Sequence, residues 1–296
     1  MVLDNFFRTR KLYMLIAYPL LLAILALFAG AEYAWIKAGI LLVISYVIVY
    51  GVHIYNPLSQ FSTLPATIFL LISASIIHSA FDIRIFVALF LFSLAFMNMQ
   101  RAIYVHTNAN IFNFGFFMLL AVICFPKLLP LLVWSLLVLF ITGRSAFRDI
   151  LALLLGFISV GIFVYFFEYW YGYNNSIFYT FIGQLYANNK ILTPHYTFWI
   201  AAGLFALVLI FASGAISRYY TLSVINQRRS ISMLLSLLLF LLISIFVVPG
   251  IESEYIYFIA LPISYYFARY FLIQKTKYKA DILFVLLIIG SALLYI

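Results

Sequence analysis

Glu168 lies in the segment FEYWYGYNNS, where tyrosines, a tryptophan and two asparagines accompany a single carboxylate. A carboxylate among aromatic rings and amides is typical of sugar-binding and glycosyl-transfer sites, in which it acts as a base or stabilises charge. We therefore predict Glu168 as a candidate catalytic residue, with Tyr171 and Asn174 as substrate-binding residues. The aromatic side chains also fit an interfacial belt that anchors a membrane helix without any further function.

A second carboxylate, Asp82, follows a polar stripe formed by Ser75, His78 and Ser79 at helical spacing. Ionisable groups within an apolar segment are costly, which makes them candidate functional residues. We predict Asp82 as a second catalytic candidate and His78 as a substrate-binding residue of a proton-handling or head-group site. Hydrogen bonding between helices by Ser and His is the more common use of such a stripe.

Three arginines could bind a phosphate, because a guanidinium matches the geometry of that group. Arg101 is followed closely by Asn113, while Arg144 and Arg148 lie four residues apart beside Asp149. We predict Arg101, Arg144, Arg148 and Asn113 as substrate-binding residues. The alternative is that the arginines reach the membrane interface and anchor the topology.

The sequence gives no pattern typical of metal or nucleotide chemistry. Its four histidines fall two on each predicted side of the membrane, without HxxxH or HxxEH spacing, and a zinc or iron site needs several ligands around one ion. The chain has one cysteine, Cys124, and no glycine-rich phosphate-binding motif. Its basic residues are spread over the chain rather than gathered in one patch. We expect no metal, no cofactor, no ATP-driven transport and no nucleic-acid partner.

The elements that must position these residues are membrane helices. Hydrophobic residues make up 67% of the chain and charged residues 8%, which excludes the soluble classes. Because a span needs about 20 apolar residues, the sequence predicts an all-α fold, a polytopic transmembrane helix bundle that occupies residues 1–296 as a single domain. We expect about 11 spans, at residues 12–30, 37–55, 65–81, 85–101, 111–125, 128–143, 150–171, 197–217, 231–248, 255–273 and 280–296.

The distribution of positive charge predicts an orientation. Of the 17 Lys and Arg residues, all but four fall on the same predicted side as the N-terminus, the exceptions being Lys37, Arg84, Lys127 and Lys190. Positive residues remain in the cytoplasm, so we expect the N-terminus inside and, with an odd number of spans, the C-terminus outside. Residues 1–11 are then a short amphipathic cytoplasmic segment, and residues 172–196 form the longest outer loop.

The apolar runs on either side of Pro126 and Lys127 are unusually short. Each has about 15 residues, or about 22 Å of helix against about 30 Å of hydrocarbon. The alternative to two full spans at residues 111–143 is a re-entrant hairpin beside nine spans, which leaves every other loop on the same side. Short, interrupted segments of this kind often lie at transport sites.

The middle third of the chain, about residues 60–160, resembles an uncharacterised family of inner-membrane proteins from Bacteroidota-type bacteria, known only as a domain of unknown function. The similar residues are Leu64 to Ala66, Phe112 to Phe116, Arg144 with Phe147 to Asp149, and Gly156 with Phe157. The resemblance implies a multi-pass protein of the bacterial inner membrane with a role in the cell envelope. It implies no reaction, cofactor or substrate.

Two classes of function are compatible with these features, and the sequence leaves open whether the protein is an enzyme. In the first, the protein handles lipid-linked envelope intermediates by glycan or lipid transfer or translocation, and its partner is a polyprenyl-linked or phosphate-bearing lipid. In the second, it is a non-catalytic subunit that scaffolds an envelope export or assembly complex, with small-residue faces such as Ala212 to Ala215 against a membrane protein partner. An ion-coupled transporter is disfavoured, because every Asp and Glu maps to a span end or loop.

Overall fold

The computed structural model describes residues 33–55, 62–74, 82–171, 196–247, 255–273 and 277–295, and singly Pro19 and Gly183. These residues form ten α-helices and one short 3-10 helix, and no strand occurs among them. The helices are α1 (Ala34–Tyr55), α2 (Leu64–Ala74), α3 (Ile83–Tyr104), α4 (Asn108–Cys124), α5 (Pro130–Ile141), α6 (Phe147–Tyr171), α7 (Tyr196–Leu222), α8 (Ile225–Val247), α9 (Tyr255–Ile273) and α10 (Lys277–Tyr295).

The predicted all-helical architecture is confirmed. Each predicted segment from residue 37 onward overlaps a helix, although α2 is described only as far as Ala74. The bounds differ most at α7, which ends at Leu222 rather than 217, and at α8, which begins at Ile225 rather than 231. The predicted first span at residues 12–30, the segment 1–11 and the loop 172–196 lie outside the described residues, apart from Pro19, Gly183 and Tyr196. The number of spans and the orientation of the chain stay predictions.

Six of the described helices are long and apolar enough to cross a membrane, namely α1, α3, α6, α7, α8 and α9. Helix α6 leaves large apolar side chains such as Leu155, Ile158 and Ile162 more than half exposed. Such a surface suits lipid and would be unfavourable in water. The helices therefore indicate a membrane protein.

Helices α4 and α5 are the short pair that the sequence predicts around Pro126. They have 17 and 12 residues, or about 25 Å and 18 Å of helix. The 3-10 helix Pro126–Leu128 joins them, and Pro130 begins α5 at a position where its missing N–H costs no hydrogen bond. Both helices are shorter than the hydrocarbon layer, and the choice between two spans and a re-entrant hairpin stays open.

The chain divides into two compact units. The central unit comprises residues 82–192 and 229–258. Within it, α4 packs closely on α6 because two glycines remove the side chains at the crossing. A Cβ atom on Gly156 would lie 2.5 Å from the carbonyl oxygen of Phe112, and one on Gly115 would lie 2.7 Å from that of Leu153. Both glycines belong to the segments that carry the family resemblance, so those segments serve helix packing.

Two side-chain hydrogen bonds fix α8 within the central unit. The indole Nε1 of Trp134 on α5 donates to Ser236 Oγ at 3.0 Å. The hydroxyl of Ser230 donates to Gln100 Oε1 on α3 at 2.9 Å. Trp134 is fully buried and meets Phe114 edge to face. These contacts hold α8 beside α3 and α5.

The terminal unit comprises residues 1–81, 193–228 and 259–296. In it, α1 packs on α2, and α7 packs on α10. Helix α9 is tied to α1 by the Tyr265 hydroxyl, which donates to the carbonyl oxygen of Ile48 at 3.4 Å. It is tied to α7 by a hydrogen bond of 3.2 Å between the hydroxyls of Tyr266 and Ser213.

Candidate functional site

Arg144, Arg148 and Arg229 gather around the turn at residues 142–146, which joins α5 to α6 in the central unit, and we call this group the arginine corner. Asp149, in the first turn of α6, is the acidic residue of the group and is buried. The predicted ligands Arg144 and Arg148 are therefore brought together. Arg101 lies in the last turn of α3 and is exposed.

Arg144 is used to hold the end of α3. Its Nε donates to the carbonyl oxygen of Ala102 at 3.1 Å, and its Nη2 donates to the same oxygen and to that of Val105. Its Nη1 lies 3.7 Å from Asp149 Oδ2, and the side chain is 7% exposed. A cation at these carbonyls neutralises the negative end of the helix dipole. Each of the three nitrogen atoms thus already faces a protein oxygen.

The charges of the corner act on one another. Burial lowers the pKa of the Arg144 guanidinium from its ordinary value, Asp149 raises it, and the nearby cations Arg229 and Arg148 lower it further. With the Asn108 amide oriented as its neighbours require, its nitrogen donates to Asp149 Oδ1 at 3.1 Å and its oxygen accepts from Arg148 Nε at 3.0 Å. Asp149 is therefore engaged by Arg144 and Asn108, while Arg148 and Arg229 lie beside it.

The two candidate catalytic carboxylates lie on different elements. Asp82 caps α3, since its Oδ1 accepts from the backbone N–H of Arg84 at 2.9 Å and from Arg84 Nε at 3.2 Å. These hydrogen bonds make Asp82 the N-terminal cap of α3. Glu168 is half-buried near the end of α6, and its neighbours Tyr165, Tyr169 and Trp170 are exposed.

The remaining predicted substrate-binding residues are dispersed or not described. Asn113 is half-buried on α4. Tyr171 is the last residue of α6, but its side chain is not described, and His78 and Asn174 lie outside the described residues. The structure therefore supplies no geometry that joins Glu168 to the predicted sugar-binding residues. Among the described residues, no group of three or more His, Cys, Asp or Glu side chains is placed to hold a metal ion.

A groove in the terminal unit was not predicted from the sequence, and we call it the Lys279 groove. It has a volume of about 500 Å³ and lies between α7 and α10, with one contribution from α9. Its walls are apolar or small, apart from Tyr270 on α9 and Lys279 on α10. The apolar and small residues are Leu207, Ile210, Phe211, Gly214, Ala215, Ile282, Leu283 and Leu286.

The Lys279 groove is long and charged at one end. Gly290 lies against Leu204 and Phe205, so α7 and α10 run antiparallel, and the groove continues from there toward Ala215 and Lys279. The step from Leu207 to Ala215 corresponds to about 12 Å of helix. Lys279 is exposed at the far end, and within the described part of the chain it makes no hydrogen bond or ion pair.

The sequence did contain a signal for this groove. Lys279, Ile282, Leu283 and Leu286 recur at helical spacing and form one stripe of α10. Of the small residues opposite them, Gly214 and Ala215 line the groove and Ala212 is buried inside the chain. The use of this face by a partner helix stays a prediction.

Comparison with curated proteins and with solved structures gives no match. The model of one protein family, described only as a family of unknown function, does match, and it covers residues 5–296. The match extends well beyond residues 60–160, which carry the resemblance described above. The chain therefore belongs to the family of unknown function DUF6427.

Proposed function

We propose that this protein is a multi-pass protein of the bacterial inner membrane that binds a phosphate-bearing lipid in the Lys279 groove. In this role it handles lipid-linked intermediates of the cell envelope. The observation that carries the proposal is the groove itself, an apolar recess between membrane helices with a lysine at one end.

The size and lining of the groove support a lipid as its occupant. A volume of about 500 Å³ falls within the range of about 300–1,000 Å³ for small-molecule sites. A length of about 12 Å covers less than half of the hydrocarbon layer, which suits the part of a lipid next to its head group. Ile210 and Phe211 on the rim are more than half exposed, so the groove opens sideways toward the surrounding lipid.

The charge at the end of the groove supports an anionic head group. The positive-inside pattern assigns the start of α10 to the cytoplasmic interface, where the ammonium of Lys279 would meet lipid phosphates. One lysine near an anionic surface contributes about 1 kcal/mol. The neighbouring cation Arg269 is buried and stacks over the ring of Tyr219, 5.7 Å from its centroid. Lys279 is therefore the better placed of the two to contact a head group.

The experiment uses one variant that fills the groove and another that removes its positive charge. A Cβ atom on Gly214 meets nothing within 4 Å, so Gly214→Leu should fold while its side chain enters the groove. Gly161→Leu on α6 is the matched control, since that position is equally open. Lys279→Gln removes the charge alone. Lipid retained by each purified protein from nanodiscs of phosphatidylglycerol and phosphatidylcholine is measured by native mass spectrometry.

We expect the wild type and Gly161→Leu to retain phosphatidylglycerol. Gly214→Leu should lose the lipid that occupies the groove, whether it is phosphatidylglycerol or phosphatidylcholine, and Lys279→Gln should lose the preference for the anionic lipid by several-fold. Equal lipid retention in all four proteins would refute the proposal. A second outcome is that lipid retention stays equal while a membrane protein that co-purifies with the wild type is lost from Gly214→Leu. In that case the scaffold function replaces the proposed lipid binding.

A further inference from the structure

The turn of the arginine corner has a backbone that only glycine adopts readily. After α5 ends, the N–H of Arg144 donates to the carbonyl oxygen of Leu139 at 2.7 Å, and that of Gly143 donates to the one of Phe140 at 3.1 Å. These two bonds form a Schellman motif, in which the residue after the helix cap has a positive φ. Gly143 occupies that position with φ of 68°.

Gly143 also makes room for Arg229. The Nη2 of Arg229 lies 2.8 Å from the point where a Cβ atom on Gly143 would stand. The guanidinium therefore packs against the backbone of the turn at Gly143. Its position follows from the hydrogen bonds of Ser230 and Ser236, which place the start of α8 beside this turn.

The corner carries more positive charge than its one carboxylate can balance. Arg144, Arg148 and Arg229 stand against Asp149, which is already engaged by Arg144 and Asn108. Arg229 and Arg148 both lie within electrostatic reach of Arg144. In the described part of the chain, Arg229 makes no hydrogen bond or ion pair, although it is half-buried. A half-buried guanidinium among like charges is costly unless an anion joins it.

We propose that the arginine corner binds an anion of the phosphate class, with Arg229 as its main ligand and Arg148 as a supporting charge. A guanidinium can present two parallel N–H groups to phosphate oxygens, which gives both affinity and geometry. Arg144 has no nitrogen left for this task, and it holds α3 in place beneath the site. The anion is the phosphate of a lipid head group or a soluble phosphate. This site lies in the central unit and does not depend on the Lys279 groove.

Two probes distinguish the sources of phosphate. Inorganic phosphate is titrated calorimetrically into the detergent-purified full chain. Phosphatidylglycerol retention from mixed nanodiscs with phosphatidylcholine is measured by native mass spectrometry. The parent protein is the wild type for phosphate and Gly214→Leu for the lipid, because that substitution fills the Lys279 groove. The test variant is Arg229→Gln. The control is Arg84→Gln in the same unit, which removes an equal charge from an exposed arginine. For a soluble ligand, inorganic phosphate binds to its parent protein. For a lipid ligand, phosphate does not bind and phosphatidylglycerol is retained by the parent protein whose groove is filled.

We expect Arg229→Gln to weaken the binding of whichever probe its parent protein binds by at least ten-fold, while Arg84→Gln leaves it unchanged. Arg229→Lys should restore only part of it, because an ammonium lacks the fork. Lys279→Gln should not alter phosphate binding, so this result is separable from the outcome for the groove. Binding of neither probe to its parent protein, or equal binding with and without Arg229→Gln, would overturn the proposal.

Discussion

Arg144 lies in the turn after α5, and its guanidinium joins the last carbonyls of α3 to Asp149 of α6. The sequence shows the residue type but not the two carbonyl partners, Ala102 and Val105, which lie 42 and 39 residues earlier in the chain. Arg229 differs, because it lies on the glycine of the same turn and has no such partner among the described residues. Arg144 and Arg229 thus have different roles at the same turn.

Arg144→Lys should destabilise the protein although the charge is kept. A lysine has one nitrogen and cannot bond Ala102, Val105 and Asp149 together, so carbonyls at the end of α3 lose their donor. We expect a loss of about 1–3 kcal/mol, measured as a lower unfolding temperature in detergent. Arg84→Lys, at an exposed position, should leave that temperature unchanged. An equal temperature for the wild type and Arg144→Lys would contradict the role of Arg144 in holding α3.

The catalytic prediction for Glu168 can be separated from that for Asp82, because Asp82 has a structural role as the cap of α3. If the protein transfers glycan, Glu168→Gln should lower the amount of envelope glycan made by cells that depend on this chain, by ten-fold or more. Asp82→Asn keeps an acceptor for the N–H of Arg84 and should have a smaller effect if Asp82 is only a cap. Unchanged glycan with Glu168→Gln would exclude Glu168 as a catalytic residue.

Helices α4 and α6 approach so closely that backbone meets backbone. The contact depends on Gly115 and Gly156, which face carbonyl oxygens of the opposite helix. Tight crossings over small residues allow dispersion contacts that take the place of the hydrophobic effect inside lipid. The close packing of this pair therefore depends on the shape of the two helices at the glycines.

Gly156→Ala should open this crossing. Its Cβ atom would stand 2.5 Å from the carbonyl oxygen of Phe112, so the helices must separate. We expect a loss of about 1–3 kcal/mol, read as a lower unfolding temperature. Gly161→Ala on the same helix meets nothing within 4 Å and should cause no loss, because alanine favours a helix over glycine. Equal stability of the two variants would mean that the crossing accommodates an added methyl group without loss.

At the scale of the whole molecule, the described charged side chains lie at or near the ends of the helices. Two of the four cations assigned to the outer face, Lys37 and Lys127, are buried within the protein. Their burial leaves fewer cations able to face head groups on that side and strengthens the positive-inside bias. The N-terminus inside and the C-terminus outside stay predictions.

Labelling of single cysteines tests this orientation. In a Cys124→Ala background, Ile83→Cys and Ser145→Cys place an exposed thiol near opposite ends of α3. We expect a membrane-impermeant thiol reagent to label Ile83→Cys in intact spheroplasts and Ser145→Cys only after permeabilisation. The reverse pattern would invert the topology, and labelling of both in intact spheroplasts would show that α3 does not cross the membrane.

The sequence by itself indicated that the helices lie in lipid. It also predicted the all-helical class and the approximate ends of the described helices. Lipid offers no hydrogen bonds to the backbone, so long apolar segments must form helices, and charges and prolines mark where they end. It also indicated the short pair α4 and α5 around Pro126 and the likeness to a family of unknown function.

Only the tertiary structure decided which faces meet. A helix that is apolar on all sides has no period that tells its packed face from its lipid face, so neither the Lys279 groove nor the α4–α6 crossing could be placed beforehand. The register of the antiparallel helices α7 and α10 places Lys279 and Gly214 in the same groove. The register of α5 and α8 places Arg229 against Gly143. Contacts between residues so far apart in the chain depend on packing, which the local pattern of residue types does not specify.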